Sequence, residues 1–528
     1  MNVKTPKNGR RADSRHKNKY LLVIFITVFL LVLFIGRSLK IPSESVVRPK
    51  CTRLAITKLY QTYDPSQLIT TDHVFIIQNV LGHLLEVGAE NTLIAGIAES
   101  WSIDTSKRTY EIKLSKNAKF SDGTPILARD VIATIKRHLL YLGTHMDMRT
   151  KIVGAAGFKN MEEEVSGLRL INDRLFSISL TRPDERFLYW LAFPELGILK
   201  EAEARKKVGD INFAISSGAF TTERMVDRII LKKNPHFYFK HGDAANCIEV
   251  MGVEDPESLV KLFESGNLDL SDYGATLSPS FDFVSKDPRY ETLIGESKAL
   301  IYFIPNPKGE VMNSSEKRRW FRNRLHGSDF TAYGAGKIFK ETRQFLVESH
   351  QGFLSPAEIA KSVIGAESKP ESSKIKILYP NVFGDKYASF LIEAFRKSTG
   401  INPTLVTYNE GNMLDALKDP TWDLLFFVVG MGEKATEVLL NYHFGERSPI
   451  YPWIDPLIDS EMISLRNSSS ETDRLLNFKK ISERLLEQAL VFPLAEFSWP
   501  IFINKALEFK ASTNFQLTHP LWSLSWKD

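Results

Sequence analysis

The stretch from Ile94 to Arg137, IAGIAESWSIDTSKRTYEIKLSKNAKFSDGTPILARDVIATIKR, holds a strand, a tight turn and a helix in that order. Tyr110, Ile112 and Leu114 alternate with Glu111, Lys113 and Ser115, the period of two expected of a strand with one buried face. Asp122-Gly123 then reads as a turn, because glycine adopts positive φ freely and aspartate can bond its own downstream backbone. Beyond Pro125, Val131, Ile132, Ile135, Leu139 and Leu142 recur at helical spacing, with Arg129, Asp130, Lys136 and Arg137 on the other side. Many folds contain this succession, so it assigns no activity by itself.

A chain of 528 residues is too long for one hydrophobic core and calls for two or three folding units. With 43% hydrophobic and 25% charged residues it is ordinary globular material. The formal charge of +5 is concentrated at the start: residues 1–40 hold nine Lys and Arg against one Asp, which leaves the remainder at −3. That balance disfavours a nucleic-acid partner, since phosphate binding needs a basic face. Lys317, Arg318 and Arg319 read as solvated surface.

The basic excess precedes an apolar run of fifteen residues, LLVIFITVFLLVLFI, from Leu21 to Ile35. With Tyr20 and Gly36 the run can cross a slightly thinned bilayer. No small-x-small cleavage motif follows it, so an uncleaved signal anchor is expected rather than a cleaved signal peptide. The positive-inside rule then keeps the tail cytoplasmic and exports the globular part. Arg10-Arg11 is not followed by the rest of a twin-arginine signal. Arg48-Pro49-Lys50 lacks the small apolar residues that would make Cys51 a lipid-attachment site.

Further along, Arg53–Tyr60 reads as a first strand broken by Asp64-Pro65, and 74–85 as a helix. Around an Asn172-Asp173 turn two strands pair. Asp255, Pro256 and Gly266 are the cap, first residue and stop of a helix set between two strands, a βαβ unit. Residues 374–429 give the clearest α/β pattern: strand 375–379, helix 387–398 closed by Gly400, strand 404–407, a short helix near Leu414, and strand 424–429. LLFFVV in that last strand is apolar without alternation, as in a parallel strand buried on both faces.

Catalytic motifs are missing: there is no H-E-x-x-H, C-x-x-C, G-x-S-x-G or phosphate-cradling loop. His236, His241 and Asp243 lack a third ligand at suitable spacing and read as surface residues. Gly334 to Lys337 reads as a flexible loop. Trp101, Trp190, Trp422, Trp453, Tyr302 and Tyr442 are expected in core or hinge packing, with some available to a cleft. No enzyme, metal or cofactor is expected.

A-E-S-W, the Thr109-Tyr110 strand, K-F-S-D-G-T-P and the helix start A-R-D-V together resemble the signature of extracellular solute-binding proteins of family 5, the peptide, dipeptide and nickel receptors of ABC importers. Leu127 departs from it where the family has a capping Thr or Ser. SSGAFTTERMVDRIILKKNPHFYF from Ser216 resembles the family's return crossing between lobes, and ALIYFIPNPKGE from Ala299 its hinge strand. The resemblance runs over nearly all of Leu54–Asp528. It implies an α/β, bilobed periplasmic-binding-protein fold with an extra domain, preceded by one N-terminal transmembrane helix. The implied divisions are a tail at 1–19, an anchor at 20–36 and a tether at 37–50. Lobe I would comprise 51–85, 206–297 and 496–528, the extra domain II 86–205, and lobe III 298–495.

The resemblance also makes the strands after Cys51 and Cys247 neighbours, which implies a disulfide between these cysteines; two free thiols are the alternative. It implies capture of a small solute, a peptide first among them, by hinge closure and delivery to a membrane permease outside the cytoplasmic membrane. Val428 and Gly430 match positions whose backbone pairs with the ligand, and Ile69 and Thr71 match the facing segment. The family's peptide receptors carry an Asp for the ligand's amino terminus in a D-Y-x-x-P type motif. Here Gly432 stands at that position with Glu433 beside it, so either Glu433 makes the contact or the ligand has no free amine. A membrane-anchored sensor using the same domain is the alternative to transport.

Overall fold

The computed structural model describes residues 51–527, apart from 68–70, 88–91, 142–147, 185–186, 272–283, 285, 331–338, 373, 410–412, 432–435, 446–447, 449, 451–454, 469 and 511–519. The tail, anchor and tether expected before Cys51 lie outside these residues, as does the Gly334–Lys337 loop. Among the described residues no helix is long and apolar enough to cross a membrane.

Strand β1 (Thr52–Ile56) is shorter than the run expected from the sequence. Thr57 and Lys58 leave the sheet and donate their N–H groups to the Asp72 carboxylate at 3.4 and 2.7 Å. Asp72 lies in the first turn of α1 (Thr71–Val80), where the exposed N–H groups favour negative charge. This helix begins and ends earlier than 74–85. Gly218 donates its N–H to Val80 O at 3.1 Å, and a Cβ there would stand 2.6 Å from the Val80 and Leu81 backbone, so only glycine fits.

Next, β2 (Leu85–Val87) pairs with β3 (Leu93–Ala95). Four strands, β4 (Ala98–Ile103), β5 (Thr109–Leu114), β6 (Leu168–Asn172) and β7 (Leu175–Ser179), form an antiparallel sheet in the order β4-β5-β7-β6. The Asp122-Gly123 turn forms as its residues dictate, with Gly123 at φ +82° and Asp122 accepting the Thr124 N–H at 3.0 Å. It leads to α2 (Ala128–Tyr141), which buries Val131, Ile135 and Leu139. The missing cap at Leu127 is answered from inside the helix: Asp130 accepts the Leu127 and Glu201 N–H groups, each at 2.9 Å.

A hairpin of β8 (Phe220–Arg224) and β9 (Arg228–Lys233) follows. Then come β10 (Cys247–Gly252), α3 (Pro256–Glu264) and β11 (Leu270–Ser271). Asp255 accepts the Ser258 N–H at 2.8 Å and Gly266 stops the helix at φ +70°, so cap, first residue and stop stand where the sequence put them. β10 and β11 flank β1, both parallel to it. Beside β1, Cys51 and Cys247 are joined by a disulfide across 196 residues of chain. Replacing both by serine is expected to lower stability by about 2–5 kcal/mol, because the cross-link restricts the unfolded chain. Urea unfolding of the oxidised protein beside the double-serine variant measures it, and a difference below about 1 kcal/mol would assign the junction's strength to strand pairing alone.

The remainder is β12 (Tyr290–Pro305), α4 (Ser315–Arg324), β13 (Phe339–Glu341), β14 (Lys374–Pro380), α5 (Gly384–Thr399), β15 (Asn402–Tyr408), α6 (Met413–Lys418), β16 (Leu424–Met431), α7 (Thr436–Phe444), α8 (Pro456–Asn467), α9 (Glu471–Glu487) and β17 (Phe492–Asn504). The main sheet runs β15-β14-β16-β12-β17-β11-β1-β10-β9-β8, with β13 on β17. β16 corrects one expectation. It is parallel to β14 only at Leu424 and Leu425 and antiparallel to β12 along its whole length. Its apolar run reflects cover on both faces, since Leu424 and Phe426 enter one core and Leu425 and Met431 another.

Arg318 and Arg319 are not solvated surface. Buried on α4 with Arg322, they crown the C-terminus of α9, donating to the carbonyls of Gln488, Glu487 and Leu486 respectively. Those carbonyls lie at the helix end, its negative pole.

Among the described residues only β12 and β17 carry the sheet from one set of cores to the other. Toward one end their residues pack with β1, α3 and the four-stranded sheet; toward the other they pack with β14, β16 and α5 to α9. The change falls at a ladder irregularity, where three residues of β12 between Ile294 and Lys298 face one of β17 between Ser498 and Pro500. Pro500 has no N–H for the ladder, so two strands with a bulge join two lobes.

Candidate functional site

The geometry of β16 begins at its base. Asn306 donates its N–H to Asp423 O and its Nδ2 to Trp422 O, each at 2.8 Å, while the Asp423 carboxylate accepts the Lys376 N–H at 2.9 Å. These bonds lock β12, β14 and β16 together. They also set the phase of the antiparallel ladder, in which successive residues alternately bond the partner strand and turn away from it. The Asn306 bond lies just outside the Pro305–Leu424 pair, and no register shift occurs between Leu424 and Met431. Val428 and Gly430 therefore turn their N–H and C=O groups away from β12.

On that outward side β14 covers β16 only at Leu424 and Leu425. Among the described residues no strand pairs with the edge from Val428 to Gly430. The two residues are half-buried, in a strand otherwise enclosed at its base. An unpaired edge of fixed phase can accept an extended chain or a planar polar group by backbone bonds, without any particular side chain. Of the facing segment, Thr71 is the first residue of α1, anchored by Asp72. The Thr71 side chain, Ile69, Gly432 and Glu433 lie outside the described residues.

The start of α7, after β16, meets the region that follows β7. Glu437 on α7 pairs with Arg474 on α9 at 2.8 Å, and Lys151 pairs with Asp184 at 2.5 Å. Burial pushes the Glu437 carboxyl up, but Lys151 and Arg474 outweigh it and hold it below the usual range. Each lobe thus contributes a pair already neutral in itself. Arg182 also donates to Asn467 Oδ1 of α8 at 3.0 Å, and Lys386 of α5 lies 3.3 Å from Glu257 of α3. Sequence reasoning missed all of these. The four charges come from four separate segments, and nothing in their spacing marks them.

Of the other candidates, Trp453 lies outside the described residues, and Trp422, Tyr302, His241 and Asp243 hold structural places. Trp422 is buried, and the Tyr302 hydroxyl meets His443 Nε2 at 2.5 Å inside the core. His241 is not a surface residue: it is half-buried against Phe220 and Phe237 and bonds Ala219 O at 2.8 Å. Asp243 accepts the Trp526 N–H at 2.8 Å. Among the described residues no group of three or more His, Cys, Asp or Glu is placed to hold a metal.

Residues 92–322 match the family model of bacterial extracellular solute-binding proteins, family 5, middle region. The chain is 21% identical over 472 residues to the periplasmic oligopeptide-binding protein of Escherichia coli, covering 82% of this chain and 84% of that protein. Among solved structures, an ABC transporter-associated periplasmic binding protein of Helicobacter pylori in complex with the peptide STSA superimposes with a TM-score of 0.75. Their identity is 15%, over 90% of this chain and 98% of that one. NikA of Brucella suis in complex with Fe(III)-EDTA superimposes with a TM-score of 0.72 at 18% identity, over 90% of this chain and all of that one. At such identities the likeness shows the fold: a bilobed α/β periplasmic binding protein.

Proposed function

We propose, for a chain whose residues 92–322 belong to the family-5 extracellular solute-binding proteins, that it captures a small solute between its lobes and delivers it to the permease of an ABC importer. The solute expected first is a peptide in extended conformation. The observation that carries this reading is the unpaired edge at Val428 and Gly430, because a peptide main chain supplies the matching donors and acceptors in strand register. The periplasmic oligopeptide binder among its relatives supports the same solute class and a place outside the cytoplasmic membrane. A disulfide between Cys51 and Cys247 suits that oxidising compartment. The two-strand connection supports closure by hinge motion. Lobes I and III, the extra domain II and the N-terminal anchor keep the bounds given above.

Gly432, in place of the family's Asp, bears on the solute's amino terminus. The test is a thermal-shift screen of the full-length protein against pooled di- to pentapeptides, their N-acetylated forms and nickel chelates. A ligand at a hundred times its dissociation constant adds about 2.7 kcal/mol. A shift with free peptides only gives an ammonium contact, for which Glu433 is the expected partner; equal shifts with acetylated peptides give a solute without that contact. No shift with any peptide overturns the peptide assignment.

A further inference from the structure

Where Arg182 meets Asn467, a cavity of about 400 Å³ opens between the lobes, lined by Thr150, Thr181, Arg182, Ile463, Arg466 and Asn467. The first three come from the segments around β7 and the last three from the final turns of α8. Each lobe therefore brings one half-buried arginine to the same space. Arg182 spends one N–H on Asn467, and Arg466 donates Nε to Met462 O at 3.3 Å. Among the described residues no carboxylate lies within ion-pair distance of either guanidinium. The neighbouring charges are matched among themselves, Lys151 with Asp184 and Arg474 with Glu437. α8 ends at Asn467, so its carbonyl pole offsets part of the Arg466 charge but offers no charged oxygen. Among the described residues the cavity thus holds two planar, permanently charged donor forks and no anion of its own.

We propose that this cavity binds an oxyanion, a carboxylate or a phosphate, held by Arg182 from one lobe and Arg466 from the other. Forked guanidinium donors match the paired oxygens of such groups in geometry as well as charge. Because the two arginines belong to different lobes, the anion binds the closed arrangement in preference and shifts the population toward it. Its source is either a free anion of the medium or a carboxylate carried by the captured solute. The site itself stands independently of the solute-capture reading.

The test is a melting-temperature titration of the full-length protein with sodium phosphate and with sodium acetate, at an ionic strength held constant with sodium chloride. A saturable rise is expected. Half-saturation should move at least about tenfold higher in Arg182→Gln and in Arg466→Gln, since each removes one charged fork. Arg466→Lys, which keeps the charge and loses the fork, should fall between. Both arginines are half-buried at the edge of the cavity, so without anion the variants should melt close to the parent, and Arg466→Lys guards against a misfolded glutamine variant. No anion-specific rise, or an unchanged rise in both glutamine variants, overturns the site. The source is read with a bound peptide and its C-terminal amide: competition between phosphate and the free-carboxylate peptide alone assigns the site to the solute, and additive binding assigns it to a separate anion. Should no peptide bind, the phosphate and acetate arms still decide the site.

Discussion

Val428→Pro is expected to weaken solute binding by roughly ten- to a hundredfold while the fold stands. Proline removes the Val428 N–H, which faces the unpaired edge of β16 and takes no part in the β12 ladder. A solute carbonyl brought to that edge would go unpaired, at a cost of about 1–3 kcal/mol, where each 1.4 kcal/mol is a factor of ten. Proline is tolerated in a strand when its missing N–H points away from the neighbour, so the melting temperature should move by only a few degrees. Val429→Pro is the control. It removes an N–H that bonds β12, and should cost much of the stability of that lobe. Calorimetric binding and thermal melting of the two variants, side by side, decide the matter. Equal destabilisation would mean that the phase assigned to β16 is wrong, and full affinity in Val428→Pro would move the solute off this edge.

The largest loss of stability is expected at Asp64→Ala, about 3–5 kcal/mol. Asp64 is fully buried and Arg137 is 2% exposed, and they meet at 2.5 Å. The Arg137 guanidinium also donates to the carbonyls of Ala204 and Lys206, while Asp64 accepts from Gly209 N at 3.0 Å and Ser66 N at 3.0 Å. One ion pair thereby pins the segment after β1, the middle of α2 and the 204–209 loop. Removing the carboxylate leaves a guanidinium buried without a counter-charge, a far larger effect than the pair's net worth. Urea unfolding followed by circular dichroism reads it. Adding Arg137→Met should recover part of the loss, because an apolar replacement removes the stranded charge; a loss below about 1 kcal/mol in the single variant would show that water reaches the site.

What could be read from the sequence was local. Asp122-Gly123, Asp255-Pro256 and Gly400 carry their conformational demands in their own side chains or lack of one, and each turn or helix end formed as expected. What could not be read was partnership. Arg318, Arg319 and Arg322 look like a solvated charge run because the carbonyls they serve lie at the end of α9, some 165 residues onward. LLFFVV announced burial on both faces but not which strand would pair with it. The same limit applies at the candidate site. Val428 and Gly430 were marked through a family resemblance, whereas Glu437, Arg474, Lys151 and Asp184 come together only in three dimensions.

The junction at Cys51 has a mechanical side. Any pull along the chain that precedes this residue enters the folded body one position ahead of β1. Unsupported, such a load would unzip a five-residue strand one bond at a time. The bond to Cys247 passes it to β10, the parallel neighbour paired with β1 from Thr52–Ile248 to Ile56–Gly252. A tug must then shear two strands together instead of peeling one.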